Sequence, residues 1–379
     1  MNNETIRILL TGDFCPHNRI EELALKSDYG SVFNDFIDEF KGNELNVTDL
    51  ECPLTLLHKG IKKTGPHQKA NPACIGLLKY AGIHLAALAN NHIMDYGSEG
   101  ARQTIELCHK NDIHTVGAGE NAETAGLPYV TSIKNRMLAF INVADNEFLT
   151  VNDGSFQANP VNPVSTYNKI VHARKQCDYV IVISHGGNEF YHLPSPRIKA
   201  LYRFFIDAGA DAVVSHHTHC FSGFEVYRDK PVFYGLGNFI YDRPGFNNSD
   251  WNRGYVVRLL ISDSIKFDII PLKQGNEVPG VFHLNEEEKI QFFKIMDKRN
   301  RIIADDTKLY QAFEQYISKV SPMYDSFIEP YFGRIHNALR RKGIIPNLLN
   351  RKKRLLLLNL TRCEAHREVL LNILSKNQN

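Results

Sequence analysis

LANNHIMDYG, at residues 88–97, begins in a short apolar run and ends in a cluster of polar, metal-competent side chains. The same change recurs in four other places along the chain: TGDFC at 11–15, DLECP at 49–53, HGGNE at 185–189 and HHTH at 216–219. In folds that alternate strands with helices, binding residues collect where the strands end. The repeated pattern therefore indicates a layered α/β fold with a polar site at the ends of its strands.

The apolar runs predict strands at 6–10, 45–48, 85–89, 137–143, 179–184, 212–215, 232–235 and 255–261, with helices between them at 32–40, 72–81, 98–111, 166–175 and 196–208. After Pro271 the pattern changes, and helices are predicted at 286–299, 307–318, 324–341 and 350–375, with a turn at 343–346 between the last two. We therefore expect a main domain at residues 1–275 and a helical C-terminal region at residues 276–379.

Composition limits the class of protein. The chain has 379 residues, of which 43% are hydrophobic and 23% charged, as in ordinary globular proteins, and its net charge of +2 does not favour nucleic acid as a partner. Its seven cysteines form no Cys-x-x-Cys pair, which fits a reducing compartment. The N-terminal residues are too short and wrongly flanked for a signal peptide, and no apolar stretch approaches the ~20 residues of a membrane span. These features predict a soluble, cytoplasmic protein.

The polar side chains at the strand ends are those of a transition-metal site. Carboxylates, an amide and several imidazoles together suit Zn, Mn or Fe, because such ions accept mixed nitrogen and oxygen ligands. His217 and His219 are alternate residues at a strand end, so both can reach one ion or two neighbouring ions. A pair of metals can clamp the attacking and leaving oxygens of a displacement reaction. The pattern therefore predicts two divalent metal ions as cofactors.

In this order the motifs resemble those of the CapA family of poly-γ-glutamate and capsule synthesis proteins, within the calcineurin-like metallophosphoesterase superfamily. DLECP is similar to that family's Asn-Leu-Glu-x-Pro, residues 88–97 match its Leu-Ala-Asn-Asn-His-x-x-Asp-x-Gly, and HGGNE resembles His-Trp-Gly-x-Glu with Gly186 in place of Trp. HHTH and GLGNF, at 235–239, resemble His-His-Pro-His and Leu-Gly-Asn-Phe. The resemblance spans residues 5 to about 270. It implies a four-layer α/β/β/α sandwich of the metallophosphoesterase type with a helical C-terminal appendage.

The resemblance also implies a role for each site residue. One metal would be held by Asp13, Glu51 and His219, and a second by Glu51, Asn91, His185 and His217. His92 would be catalytic, as an acid or electrostatic stabiliser oriented by Asp95. Cys15 occupies a position where the superfamily supplies a metal-binding imidazole, although a thiolate there could still bind the metal. His17 is a weak substitute candidate, because it lies two residues too far along the chain for the motif. We therefore expect the first metal to be held more weakly than the second.

Simpler interpretations remain open for several of these residues. Asp13 could cap a turn, Glu51 could be a loop acid, and residues 90–92 could form a hydrogen-bonded turn before a helix. Glu189 could be a surface acid, a substrate contact or the group that orients His185. Four further residues are candidates only for orienting a ligand or contacting the substrate: Cys15, Glu189, His216 and Asn238.

The sequence favours a metal-dependent hydrolase that uses a metal-activated water on a phosphoester or a γ-glutamyl-type bond. Two alternatives remain: a non-hydrolytic component of capsule or polymer synthesis, and a metal-dependent isomerase on the same fold. The expected partner is a small molecule or an anionic polymer or peptide. Basic runs at 340–342 and 351–354 predict a solvated face on a pair of C-terminal helices, or weak docking to an anionic polymer or membrane surface.

Overall fold

A computed structural model of the chain describes residues 5–149, 156–328 and 350–376, with isolated positions 339, 342 and 344. The described residues form sixteen strands: β1 (Ile6–Cys15), β2 (Leu45–Leu50), β3 (Leu85–Ala87), β4 (His114–Val116), β5 (Ala118–Gly119), β6 (Tyr129–Ile133), β7 (Arg136–Ala144), β8 (Gln157–Ala158), β9 (Tyr179–His185), β10 (Ala212–His216), β11 (Phe224–Tyr227), β12 (Lys230–Phe233), β13 (Asn238–Tyr241), β14 (Arg253–Ile261), β15 (Ile265–Gln274) and β16 (Val281–His283).

The helices follow the same alternation. They are α1 (Arg19–Leu25), α2 (Tyr29–Phe33), α3 (Ile75–Tyr80), α4 (Gly97–His109), α5 (Ala122–Ala125), α6 (Pro163–Arg174), α7 (Pro196–Asp207), α8 (Glu286–Ala304), α9 (Asp306–Ile328), α10 (Arg351–Arg362) and α11 (Glu364–Lys376). Short 3-10 helices lie at Asn34–Phe40, Pro72–Cys74 and Asp250–Asn252. Capping residues and prolines set two of these boundaries. Asn162 caps α6 and Ser195 caps α7, and in each helix the first residue is a proline.

Two sheets contain most of the strands. The first has the order β16-β15-β14-β1-β2-β3-β4, with β13 also paired to β1, and the second has the order β11-β12-β10-β9-β7-β6. Strands β1 to β4 are parallel to one another, as are β7, β9, β10 and β12. Parallel strands end at the same edge of a sheet, so each sheet presents one edge where several strand ends meet.

Three apolar clusters separate four layers. Alternate residues of β1 face opposite ways: Ile8 and Leu10 pack against the second sheet, whereas Leu9 packs under α1 to α4. In the second sheet Ile181 faces the first sheet, and Val182 faces the cluster that contains residues of α6 and α7. Residues of the strands are therefore buried on both faces, and the four-layer α/β/β/α arrangement expected from the resemblance is confirmed.

The structure corrects several predicted elements. Eight strands were not predicted: β4, β5, β6, β8, β11, β13, β15 and β16. Most of them are short or only half buried, and Pro271 within β15 interrupts its alternation. The helix predicted at 32–40 is wrong beyond Phe33, since a 3-10 helix follows there. Because β16 continues the first sheet past residue 275, the proposed division of the chain at that residue stays a prediction.

The helical C-terminal region has its own apolar cluster. Phe313 and Ile317 of α9 pack with Leu360 of α10 and Val369 of α11. The single helix predicted at 350–375 is wrong: Cys363 takes an extended backbone angle and divides it into α10 and α11, with neither proline nor glycine to signal the break. Three parts of the predictions lie outside the described residues: the turn at 343–346 except Ile344, most of the helix at 324–341 beyond Ile328, and Arg340 and Arg341 of the first basic run. Among the described residues, every helix is too short or too polar to cross a membrane.

Candidate metal centre

Parallel pairing brings the predicted site residues together where the two sheets meet. In the first sheet, Asp13 of β1 lies opposite Asp49 of β2 and Asn238 of β13. In the second sheet, His185 at the end of β9 lies opposite His216 of β10. Contacts then join the two sheets, because the backbone N–H of His217 donates to Asp13 Oδ1 over 3.1 Å.

Gly12 allows β1 to reach this position. A Cβ atom at residue 12 would lie 2.0 Å from the carbonyl oxygen of Gly237, closer than any real contact. That same carbonyl accepts a hydrogen bond from the backbone N–H of Asp13 at 3.1 Å. A side chain at residue 12 would therefore displace the carboxylate of Asp13.

One group of ligand atoms lies around His185. Its Nε2 is 3.0 Å from Asn91 Oδ1, 3.1 Å from His217 Nδ1 and 3.7 Å from Glu51 Oε1. These four buried side chains are the ones that the resemblance assigns to the second metal. Two imidazole nitrogens, an amide oxygen and a carboxylate oxygen thus converge on one small volume.

The other group lies around His219. Its Nδ1 is 3.2 Å from Asp13 Oδ2, and its Nε2 is 3.6 Å from Glu51 Oε1. One ligand atom from each of Asp13, Glu51 and His219 lies within 4.8 Å of the others. Glu51 Oε1 is therefore close to the nitrogens of both groups, as an oxygen shared between two ions would be.

Four carboxylate oxygens in this cluster are buried without a hydrogen-bond partner among the described residues: Asp13 Oδ2, Asp49 Oδ1, Glu51 Oε1 and Glu51 Oε2. Buried carboxylates are normally paired or bound to a metal, because leaving them alone costs several kcal/mol. Imidazoles stand beside these oxygens, and the mixed set suits a divalent transition metal. The residues present fit such an ion.

The charges of the carboxyl groups also indicate that the cluster would bind a cation. Burial raises the pKa of Asp49 to about 7, and burial together with the charges of Asp13 and Asp49 raises the pKa of Glu51 well above its usual range. Burial would raise the pKa of Asp13 too, but the neighbouring His219 imidazole holds it below the usual value. The charge of Asp13 disfavours ionisation of Asp49 and Glu51, and a bound cation would stabilise their ionised forms.

Two of the imidazoles, those of His185 and His219, are held in orientations that leave one nitrogen for a ligand bond. His185 Nδ1 lies 3.0 Å from Asp49 Oδ2, and His219 Nδ1 donates to Asn238 Oδ1 over 3.0 Å. Burial and the neighbouring His217 lower the pKa of His185 well below its usual value, so its ring is neutral. Metal-binding histidines commonly have their second nitrogen fixed in this way by an oxygen acceptor.

Backbone strain concentrates at the same place. His217 has φ 88° and His219 has φ 54°, in the left-handed region that residues other than glycine adopt rarely. Such conformations cost ~1–3 kcal/mol each and persist where the surrounding structure imposes them. In the HHTH motif these left-handed conformations direct the imidazoles of His217 and His219 into the cluster.

His92 lies in a separate hydrogen-bonded group beside the ligands. Its Nδ1 is 2.7 Å from Asp95 Oδ2, and Lys63 pairs with the same Asp95 carboxylate while its Nζ lies 3.3 Å from His92 Nδ1. Burial and the charge of Lys63 lower the pKa of His92, which outweighs the opposing effect of Asp95. The resting ring is therefore neutral and must gain a proton before it can act as an acid.

Comparison with known proteins identifies the family. Residues 7–243 match the family model described as bacterial capsule synthesis protein PGA_cap. The chain belongs to this PGA_cap family. The match covers more than half of the chain and includes every predicted site residue, and the recognition of the family from its motifs is confirmed.

Two relatives carry related names. A capsule biosynthesis protein CapA from Bacillus anthracis is 30% identical over 288 residues, covering 73% of this chain and 70% of that protein. A PGA biosynthesis protein CapA from Bacillus subtilis is 29% identical over 288 residues, covering 74% of each.

Among solved structures, a putative 5'-nucleotidase from Staphylococcus aureus aligns with a TM-score of 0.43 and 12% identity, over 78% of this chain and 58% of that one.

Other candidate residues of the PGA_cap domain lie around the cluster. Glu189 is exposed, and its charge acts on Glu51 and His219, which places it at the rim. His216 Nε2 bonds to the carbonyl oxygen of Thr11 at 2.8 Å, a structural contact between the two sheets. Gly186 has no room for a tryptophan, because a Cβ atom there would lie 2.8 Å from the carboxylate carbon of Asp145.

The position of Cys15 differs from that of the predicted ligands. It is fully buried in the apolar cluster under the first layer of helices, and burial and the neighbouring Cys52 raise the pKa of its thiol well above the usual value. His17 is engaged at both nitrogens, with Gln68 Oε1 at 3.0 Å and the carbonyl oxygen of Asp242 at 2.7 Å. Among the described residues, neither belongs to a group of converging ligand atoms.

Three residues beside the cluster were missed by the sequence interpretation. Asp49 was quoted in its motif but given no role, although it holds His185. Lys63 comes from a loop with no recognisable pattern. Glu147 follows β7, and the strand-end argument could have found it, because Asp145-Asn146-Glu147 comes directly after that strand.

Proposed function

We propose that this PGA_cap chain is a metal-dependent hydrolase that cleaves a phosphoester or a γ-glutamyl-type bond in an anionic substrate. The supporting observation is the set of buried carboxylate oxygens that have no hydrogen-bond partner among the described residues and lie beside imidazole nitrogens. A merely structural cluster would pair these oxygens with donors, because unpaired buried acceptors destabilise a fold.

The proposed ligands form two sets that share one carboxylate. Asp13, Glu51 and His219 would hold one divalent cation, and Glu51, Asn91, His185 and His217 would hold the other. Mn, Zn or Fe would supply Lewis-acid chemistry there, polarising the substrate and lowering the pKa of water.

His92, Asp95 and Lys63 would then transfer a proton to the leaving atom. Asp95 accepts from Nδ1 of His92, which leaves Nε2 to take a proton from the attacking water and pass it to the leaving atom. The carboxylate of Asp95 also stabilises the protonated ring that forms during the reaction. Lys63, paired with Asp95, keeps that carboxylate in place.

The names of the relatives support an anionic polymer or peptide as the substrate. Both CapA proteins are named for biosynthesis, of a capsule in one case and of PGA in the other. In a biosynthetic setting, a hydrolase would trim or release the growing polymer.

The test is to purify the full chain, measure its metals by elemental analysis, and assay an aryl phosphate and a γ-glutamyl anilide. We expect one to two equivalents of a transition metal and turnover of one substrate class that disappears on chelation and returns with added metal. The exposed His172→Ala variant serves as a control that should behave like the parent. Bound metal without turnover of either substrate would favour a non-hydrolytic assembly role, and a protein that takes up no metal would refute the proposal.

A further inference from the structure

The third imidazole of the cluster has a different kind of partner from the other two. His185 and His219 each have an oxygen 3.0 Å from Nδ1, supplied by Asp49 and Asn238 from neighbouring strands. His217 is reversed: its Nδ1 faces His185 Nε2 at 3.1 Å, so Nε2 is its outer nitrogen. The carboxylate of Glu147 faces that outer nitrogen, with Oε2 3.9 Å from it.

Glu147 is held by the C-terminal helices. Its Oε1 accepts from Asn359 Nδ2 of α10 over 3.0 Å and lies 3.3 Å from His366 Nε2 of α11. The other nitrogen of His366 is 2.7 Å from the hydroxyl of Tyr324 in α9. Both contacts are on Oε1, so Oε2 remains directed toward His217.

The two residues before Glu147 are fixed by the same helix. The backbone N–H and side-chain amide of Asn146 donate to the Glu364 carboxylate over 2.8 and 2.7 Å. Asp145 pairs with Arg197, which also pairs with Glu368. Three consecutive loop residues are therefore tied, directly or through one arginine, to α11.

We propose that Glu147 is a positioning residue for His217, and that α10 and α11 support the metal centre through it. The inference rests on the proposed function, since it takes His217 as a ligand. A shift of about one ångström would bring Glu147 Oε2 within hydrogen-bond distance of His217 Nε2. The carboxylate would then fix the ring and increase its basicity, as such partners do for other metal-binding histidines.

The test measures metal binding directly. Metal-stripped full-length protein is titrated with Zn²⁺ by calorimetry, in the parent and in Glu147→Gln and His366→Ala variants. We expect the tighter site, which contains His217, to weaken ~10- to 100-fold in both variants. His366→Gln retains an amide donor near the position of Nε2 and should restore most of the affinity.

Glu364→Ala is the matched control, because it removes a contact from the same helix to the adjacent Asn146 and none to Glu147. If this variant weakens binding as much as His366→Ala does, the helices only anchor the loop and the positioning role is overturned. Unchanged affinity in Glu147→Gln, with the parent still binding metal, would overturn the inference and leave the proposed function intact. A parent that binds no metal would overturn both.

Cys363 provides a further check. One ligand atom from each of Glu147, Cys363 and His366 lies within 4.8 Å of the others. A third equivalent of Zn²⁺ that disappears in Cys363→Ser would show that this cluster itself binds an ion, and would overturn the positioning role. We expect the stoichiometry of Cys363→Ser to equal that of the parent.

Discussion

The strand ends and the C-terminal helices reach the candidate metal centre in different ways. The strand ends place their side chains through backbone pairing, as where Asp13 lies opposite Asp49 and Asn238. The helices reach the centre through side-chain hydrogen bonds to one carboxylate, that of Glu147. Backbone pairing is shared by a whole sheet, whereas a side-chain contact can be removed singly. We therefore expect substitution of a strand-end ligand to remove one metal, and substitutions in the helices to weaken metal binding.

The largest effect is expected at Asp13 and His217. Asp13→Ala removes the carboxylate oxygen that has no hydrogen-bond partner among the described residues, and His217→Ala removes one of two adjacent imidazole nitrogens. Each variant should lose about one of two metal equivalents, together with the proposed hydrolytic activity, since that activity would require both metals. Elemental analysis of the purified variants measures the loss.

The exposed His172→Ala variant again serves as the control, since among the described residues its imidazole belongs to no group of converging ligand atoms. Full metal retention in both Asp13→Ala and His217→Ala would mean that the strand ends do not form the site. The expected difference between the strand ends and the C-terminal helices in metal binding would then not exist.

The next effect concerns a group beside the ligands. His92→Ala should retain normal metal content, because Asn91 already offers the amide oxygen at this point of the chain. Loss of a proton-transfer group typically lowers the rate ~10²- to 10⁴-fold. We expect this loss in kcat with KM little changed, if the interaction is made mainly in the transition state. Steady-state kinetics and metal analysis of the same preparation decide the point, and parallel loss of metal would make His92 a ligand.

A third prediction concerns the stability of the helical region. Ile317 is fully buried in the cluster that joins α9, α10 and α11. Ile317→Ala should lower the free energy of unfolding by ~2–5 kcal/mol, through lost burial and the cavity left behind. Urea denaturation followed by circular dichroism measures the change. Ile290→Ala, at a position 65% exposed on α8, is the matched control and should stay within ~0.5 kcal/mol of the parent.

The motifs at the strand ends could be predicted from sequence because they are local. Each consists of a short apolar run followed by polar residues, and the structure brings Asp13, Glu51, Asn91 and the three imidazoles into one cluster. The contact between Glu147 and His366 could not be predicted in this way. It joins residues 219 positions apart through side chains alone, and no periodicity marks either of them. The division of the last helix at Cys363 was missed for a similar reason, since packing and not a local breaker sets it.

The smallest effect on metal binding is expected at Cys15. The resemblance places this residue at a ligand position, whereas the structure buries it in an apolar cluster. Alternation along β1 would place Cys15 on the same side as Asp13, in the position of the superfamily's imidazole. The pairing of β1 with β13 shifts register between Asp13 and Phe14, and such an irregularity breaks the alternation. Cys15 is consequently buried beside Cys52, with a thiol whose pKa is raised by burial and by that neighbour.

Cys15→Ser should therefore leave metal stoichiometry and affinity unchanged, with Cys52→Ser as the matched control. Loss of a metal equivalent in Cys15→Ser alone would place the thiol in the coordination sphere, and would mean that the register of β1 changes when a metal binds.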